Sequence, residues 1–237
     1  MSLLTLIQGV CGVLSLAQPS AVVGSTDRQV LQLFALANEE GRDLASACAW
    51  QALVEEQTFV TVATPAQATA VPADFDRFIP NSFFNRSTRR EMTGPITPRQ
   101  WQWIQAQPVY STAFLMFRER TGQFLISPTP PAGQTIAYEY VSKNWCKSAS
   151  NANPANNPQA AYAADADVAY LDETLMALGL RWRFLRAKGL DYAEEMATYE
   201  RQKEQAIARD GGASALTMSP QPIDMNRVNL PDGNFGG

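Results

Sequence analysis

Two stretches with the apolar period of an α-helix, one at each end of the chain, flank a long middle patterned for strands, and this order constrains the fold more than any other feature. Leu3, Leu4, Ile7, Val10, Val13, Leu14 and Ala17 recur at three- and four-residue steps, which lines one side of a helix with apolar groups. Ser2 is placed to cap it and Pro19 to close it. Ser25, Thr26 and Asp27 offer caps for a second helix through Val30, Leu31, Phe34, Ala35 and Asn38. Gly41-Arg42-Asp43 interrupts, and Leu44, Ala47, Cys48, Ala49, Trp50 and Leu53 resume the helical period.

The patterning changes at Thr58, where Thr58 to Ala63 alternates in the β-branched manner of a strand. Two apolar runs, 114–120 and 123–127, flank Thr121-Gly122, a hairpin signal. A third run, 135–141, follows a proline-rich turn, and a three-stranded antiparallel meander is the economical arrangement. Inside this stretch, Thr97 to Ile104 reads as a short helix with Pro98 at its first position, where the missing N–H costs nothing. Residues 149–164 are rich in Asn, Pro, Ala and Gln and read as a linker.

From Asp165 the helical period returns through Val168, Leu171, Leu175, Leu178, Leu180, Trp182, Phe184 and Leu185, with Asp165 and Asp167 placed as caps. Ala187-Lys188-Gly189 permits a break, and a further helix from Asp191 to about Ala208 turns Tyr192, Met196, Tyr199 and Ile207 inward. Gly211-Gly212 ends it. The expected fold is α+β: N-terminal helices over 1–57, an inserted antiparallel β lobe over 58–147, a linker over 148–164, C-terminal helices over 165–212 that join the first in one bundle, and an extended arm over 213–237.

Composition narrows the chemistry. The chain has no histidine, which removes histidine-dependent serine and cysteine triads, HExxH zinc sites and 2-His-1-carboxylate iron sites. Cys11, Cys48 and Cys146 are odd in number and far apart, so a disulfide framework is not expected and a reducing, cytosolic place of synthesis fits. With 46% apolar and 18% charged residues and a net charge of −4, the chain is globular in balance and has no bulk attraction to nucleic acid or membrane. The run from Leu3 to Ala17 has no basic residue ahead of it and is shorter than the roughly 20 residues a bilayer span needs, so it reads as a buried helix. Gly9-Val10-Cys11-Gly12 lacks the preceding strand and following Lys-Ser/Thr of a phosphate loop, and no cofactor is expected.

Val71-Pro72-Ala73-Asp74-Phe75-Asp76-Arg77-Phe78, then Phe83-Phe84-Asn85-Arg86-Ser87, then Gly94-Pro95-Ile96 and the tryptophans Trp101 and Trp103, follow one another in an order that resembles the middle of tailed-phage head-to-tail adaptors of the tail tubular A and tail accessory factor type. Tyr170 to Ile207, with its "WRFLRAKGLDY" turn, is similar to the paired helices of the same group. The resemblance covers most of 71–212. It implies a non-enzymatic virion protein of the neck, assembled in the host cytoplasm. Such a protein forms a ring, dodecameric if it matches the portal, and joins the portal protein to a tail tube or nozzle protein around a DNA channel. It also implies contact with the portal through the C-terminal segment, which carries Pro220, Pro222, Pro231 and Phe235.

The side chains leave several readings open. Asp74 and Asp76, or Glu91, could form a carboxylate pair of a cell-wall glycan hydrolase, although a solvated strand start is the simpler account. Arg86, Arg89 and Arg90 form the densest basic cluster and suit either non-specific contact with packaged DNA or an inter-subunit salt bridge. Arg181, Arg183 and Arg186, beside Trp182 and Phe184, suit subunit contacts better than a nucleic-acid stripe. Trp101 and Trp103 point different ways on a helix, so core and interface are both open to them. A head-closure or tail-completion connector is a further reading, separated from the adaptor only by its partner.

Overall fold

The computed structural model describes residues 1–68, 70–106, 115–149 and 157–211. In chain order its elements are α1 (Leu3–Val13), α2 (Arg28–Ala47), β1 (Val54–Val60), β2 (Ala66–Gln67), β3 (Phe75–Phe78), β4 (Phe84–Asn85), β5 (Arg90–Glu91), α3 (Pro98–Ala106), β6 (Met116–Arg120), β7 (Gln123–Ser127), β8 (Thr135–Ser142), β9 (Cys146–Lys147), β10 (Pro158–Gln159), β11 (Val168–Ala169), α4 (Glu173–Lys188) and α5 (Ala193–Asp210). The α+β class and the helices–lobe–helices order hold.

The two helical ends close over one apolar core. Leu3, Leu6, Ile7 and Val10 of α1 and Leu33, Ala37 and Leu44 of α2 pack with Leu175, Met176, Leu180 and Phe184 of α4. Ser2 caps α1, its Oγ accepting from the Thr5 amide at 3.3 Å. The helix stops at Val13, short of the expected Ala17, because Ser15 turns left-handed (φ 56°). Asp27 caps α2, accepting from the Gln29 amide at 2.8 Å.

Three expectations about the helices are corrected. First, α2 runs unbroken through Gly41. The glycine serves a close approach: a β-carbon there would meet the Trp145 ring. Second, the helical period does not continue to Leu53. Cys48 is extended, the Trp50 indole donates to the Leu44 carbonyl at 2.7 Å, and a 3-10 turn over Gln51–Leu53 leads into β1 at Val54 rather than Thr58. Third, the last helical region begins at Glu173, and its cap is Asp172, which accepts from the Thr174 and Leu175 amides at 2.8 and 3.1 Å.

The Asp165 and Asp167 side chains cap neither α4 nor α5 and instead tie the stretch before α4 to the region of α1 and the connection after it. The Asp165 carboxylate accepts from the Val22 and Val23 amides, and its carbonyl accepts from Leu4. The buried Asp167 gathers the Ala163 and Ala164 amides and the Gln159 amide nitrogen, while its carbonyl accepts from Leu3 at 2.8 Å. Part of the expected linker is likewise packed. Tyr162 is buried edge-on against Trp145, and its amide donates to Asn38 at 2.7 Å. Gly189, left-handed at φ 69°, ends α4 as expected. On α5, Tyr199 is buried as expected, whereas Met196 is exposed.

The lobe holds two sheets around an aromatic core. The first two runs of the expected meander do pair, β6 with β7, through Thr121 and Gly122, both at positive φ as a tight hairpin turn requires. The third run does not join them. Prolines at 128, 130 and 131 carry the chain away from β7, and Thr61 pins the returning turn by hydrogen bonds to Pro131 and Gly133. β8 thereby becomes the centre of another sheet, paired with all of β1 on one edge and with β3 and β4 on the other. Phe59, Phe83 and Tyr138 of this sheet and its connections meet Phe117 and Phe124 of the second sheet, with ring centroids 3.8 Å apart for Phe83–Phe117 and 5.6 Å for Phe59–Phe124. Such aromatic pairs add to the apolar burial. A small third sheet, β10-β9-β11, ties the lobe's exit to the bundle.

Candidate functional site

The arginines of α4 divide by position. Arg183 is turned inward and only 6% exposed. Its Nε donates to Glu40, Nη1 to Glu39 and Nη2 to Asp43, each at 2.6 Å. It therefore lies inside the chain, spent on α2, and not on the surface that subunit contact would require. Glu40 is fully buried, and the space for its carboxylate comes from Gly179, where a β-carbon would collide with it. Burial pushes the Glu40 carboxyl pKa up, opposed by Tyr199 and Arg183. For Arg183 burial acts downward, but Glu40 and Asp43 outweigh it and the net shift is upward. Arg181 pairs with Glu195 of α5 at 2.7 Å, and Arg186 is exposed with its guanidinium over the Trp182 ring at 5.1 Å. Nothing in the linear pattern singled out Glu40; the one available signal was a glycine, Gly179, inside an otherwise strong helical run.

In the lobe, Thr97 and Gln100 form a reciprocal capping box at the start of α3, with Pro98 at the first helical position as expected. Trp101 then packs with Ile96, Ile104 and Leu125, while Trp103 is 57% exposed on the other side. The two tryptophans thus divide into one core and one surface residue.

Arg86, Arg89 and Arg90 lie together on the β4–β5 hairpin. Asn85 shapes its turn by accepting from the Ser87 and Thr88 amides, and Arg89 occupies the left-handed region at φ 56°. Arg86 reaches back across β8 to Glu56 at 2.7 Å.

The acids considered for hydrolysis are held separately. Asp74 accepts from the Ser142 hydroxyl at 2.6 Å and from the Tyr140 hydroxyl, which also lies within hydrogen-bond distance of Glu55. Burial, then Asp74 and Glu55, push the Tyr140 pKa up. Asp76 sits at an irregularity in the β3–β8 register and pairs with Arg77. Glu91 is on β5, across from Phe84. Asp74 thus bridges β3's entry to the end of β8, a fastening role.

Pro220, Pro222, Pro231 and Phe235, with the arm that carries them, lie outside the described residues. Cys11, Cys48 and Cys146 are free thiols, and burial raises the Cys146 pKa to about 12, which makes it a poor nucleophile. Among the described residues no group of three or more Cys, Asp or Glu is placed to hold a metal, and no helix is long and apolar enough to cross a membrane.

No curated protein matches this chain. The family model described as SU10 adaptor protein matches residues 1–224, which takes in the first helices as well as the 71–212 stretch that carries the resemblance. The chain belongs to the SU10 adaptor protein family, and so is a structural head-to-tail adaptor of a tailed bacteriophage.

Proposed function

We propose that copies of this chain form a closed ring seated beneath the portal and join it to a tail tube or nozzle protein, with the genome passing through the centre. The observation that carries this reading is the family match over residues 1–224. The two-part build supports it. A bundle of α1, α2, α4 and α5 and a lobe that begins with β1 at Val54 give one subunit two chemically different ends, one for the portal and one for the tail. A closed ring needs unlike surfaces on its two flanks, and matching the portal's symmetry makes it dodecameric. It assembles in the host cytoplasm, ends in the virion neck and needs no catalysis or cofactor.

In this reading Trp103, Arg181 and Arg186 contribute to contacts with portal or neighbour, as do Pro220, Pro222, Pro231 and Phe235 of the arm. Arg86, Arg89 and Arg90 meet DNA phosphates or a neighbouring copy. Purified portal mixed with the full chain should give a co-migrating complex that shows rings by electron microscopy, and deleting 213–237 should weaken it. If both forms ignore the portal, the proposal is wrong. A head-closure or tail-completion connector would be told apart by its partner, binding the tail tube rather than the portal.

A further inference from the structure

Two sheet edges on opposite flanks of the lobe meet no strand along their outer side among the described residues, and their side chains differ in charge, Glu55 and Glu56 on one and Arg118 and Arg120 about Glu119 on the other. On β1, the Thr61 amide that follows the strand donates inward to Gln134 at 2.8 Å. Backbone groups alternate in direction along a strand, so Val54, Glu56, Thr58 and Val60 aim theirs away from β8. Among the described residues no strand pairs with that side. On β6, the Phe117 amide and carbonyl are taken by Thr93 and Ile96, and by the same alternation Glu119 is the residue of 118–120 that aims its backbone groups outward, where it meets no described strand.

The core shows how these edges are disposed. Phe59 of β1 stands over Phe124 of β7, whereas Phe83, just ahead of β4, stacks on Phe117 of β6. Since β8 separates β1 from β4 and β7 separates β2 from β6, the two open edges face opposite ways.

Their charges match. β1 presents Glu55 and Glu56, and Glu139 of β8 sits directly across from Glu56, an unfavourable like-charge pair. Arg86 answers Glu56 alone. Among the described residues Glu55 and Glu139 form no ion pair. Arg118 and Arg120 share one face of β6 and also form none. Val60 and Val62, 58% and 50% exposed, extend the acidic edge with apolar surface. Long open edges are normally covered or blunted.

The geometry points to a head-to-tail contact in which the β1 edge of one copy meets the Arg118–Arg120 edge of the next, joining lobe to lobe by strand addition and by arginine–glutamate pairs. The contact is heterologous, as ring closure requires. This inference rests on the ring reading above and names the surfaces that close the ring.

Complementary charge reversal tests it. Chains carrying Glu56→Lys with Glu139→Lys face arginine with lysine in every contact, and chains carrying Arg118→Glu with Arg120→Glu face acid with acid. Each alone, shown folded by thermal melting, should lose about tenfold or more in ring yield on purified portal. An equimolar mixture restores opposite charge at every contact of an alternating ring and should recover ring yield to near wild type. If wild-type chain forms no ring on portal, the ring reading fails and this contact with it. If wild type forms rings and either variant alone does so equally well, or the mixture does not recover, only the edge contact is wrong. Should a charge variant fail to fold, the full chain with Thr58→Cys and Glu119→Cys decides the matter. Oxidised on portal, it should give a ladder of chain-to-chain disulfides, and rings yielding only uncrosslinked chains overturn the proposal.

Discussion

Replacing Arg183 by methionine probes the joint between the two halves of the bundle. Methionine keeps much of the apolar stem but removes the guanidinium. Two of its three partners, Glu39 and Asp43, are 44% and 59% exposed and lose little, because water replaces the bond. Glu40 is fully buried and loses the donor at 2.6 Å with no solvent to replace it. Breaking a buried pair from one side costs about 3–5 kcal/mol. In a chain of this size about 1 kcal/mol moves the melting point by roughly 2–4 °C, so Arg183→Met should lower it by roughly 6–20 °C. The pH dependence has a definite sign. Burial already raises the Glu40 pKa, and losing Arg183 removes a downward influence, so it rises further. A group whose folded pKa lies above its unfolded value contributes stability that is fully present below the unfolded pKa and is lost as pH rises through the folded one. The deficit of Arg183→Met should therefore shrink as pH falls from neutrality towards the ordinary carboxyl range. Adding Glu40→Met removes the stranded charge and should recover most of the loss. Calorimetric melting of the two single variants and the double across that pH range measures all of this. A single-variant loss under about 1 kcal/mol, or a double variant no more stable than Arg183→Met, would refute the reasoning.

Three other substitutions test packing at Gly41, Asp165 and Phe83. Gly41→Ala improves helix propensity by about 1 kcal/mol but drives a methyl into Trp145, so chemical denaturation should show net destabilisation of about 1–2 kcal/mol; a more stable protein would mean the ring does not sit there. Asp165→Ala strands the Val22 and Val23 amides and should cost about 1–3 kcal/mol, with faster hydrogen exchange at those two amides, an effect that a helix cap near residue 168 would not produce. Phe83→Ala empties the centre of the aromatic cluster and should cost about 3–5 kcal/mol by denaturant unfolding; a loss below about 1 kcal/mol would place Phe83 outside the core.

Much of the architecture was legible because local patterns and tertiary packing agreed. The caps Ser2 and Asp27, the Pro98 start of α3, the Thr121-Gly122 turn and the Gly189 break depend on a few neighbouring residues, and all appear where the chain's own chemistry puts them. The misreadings have a common cause. Gly41 reads as a break because glycine's low helix propensity is local, while its use here, admitting Trp145 from about a hundred residues away, is not. Asp165 and Asp167 look like caps in a linear reading, yet their amide partners come from residues 22–23 and 163–164. Of the described residues considered for contact, Trp101 and Arg183 are interior, because helical spacing shows neither which of two tryptophans faces the core nor which arginine of a short run meets acids on another helix.

The order of helices, strands and helices, and with it the adaptor kinship carried by residues 71–212, was settled by the linear chain alone. Hydrophobic period and turn chemistry act over a few residues and need no partner to be read. Which strands lie side by side was decided only in three dimensions. β8 had two candidate neighbours of suitable pattern, β7 and β1. Pairing with β1 over its full length, with Thr61 holding the proline turn and the aromatic rings closing between two sheets, satisfied backbone and core together. The buried Glu40–Arg183 joint was decided there too, since a charge can be left inside only when another element delivers its counter-charge to the same place.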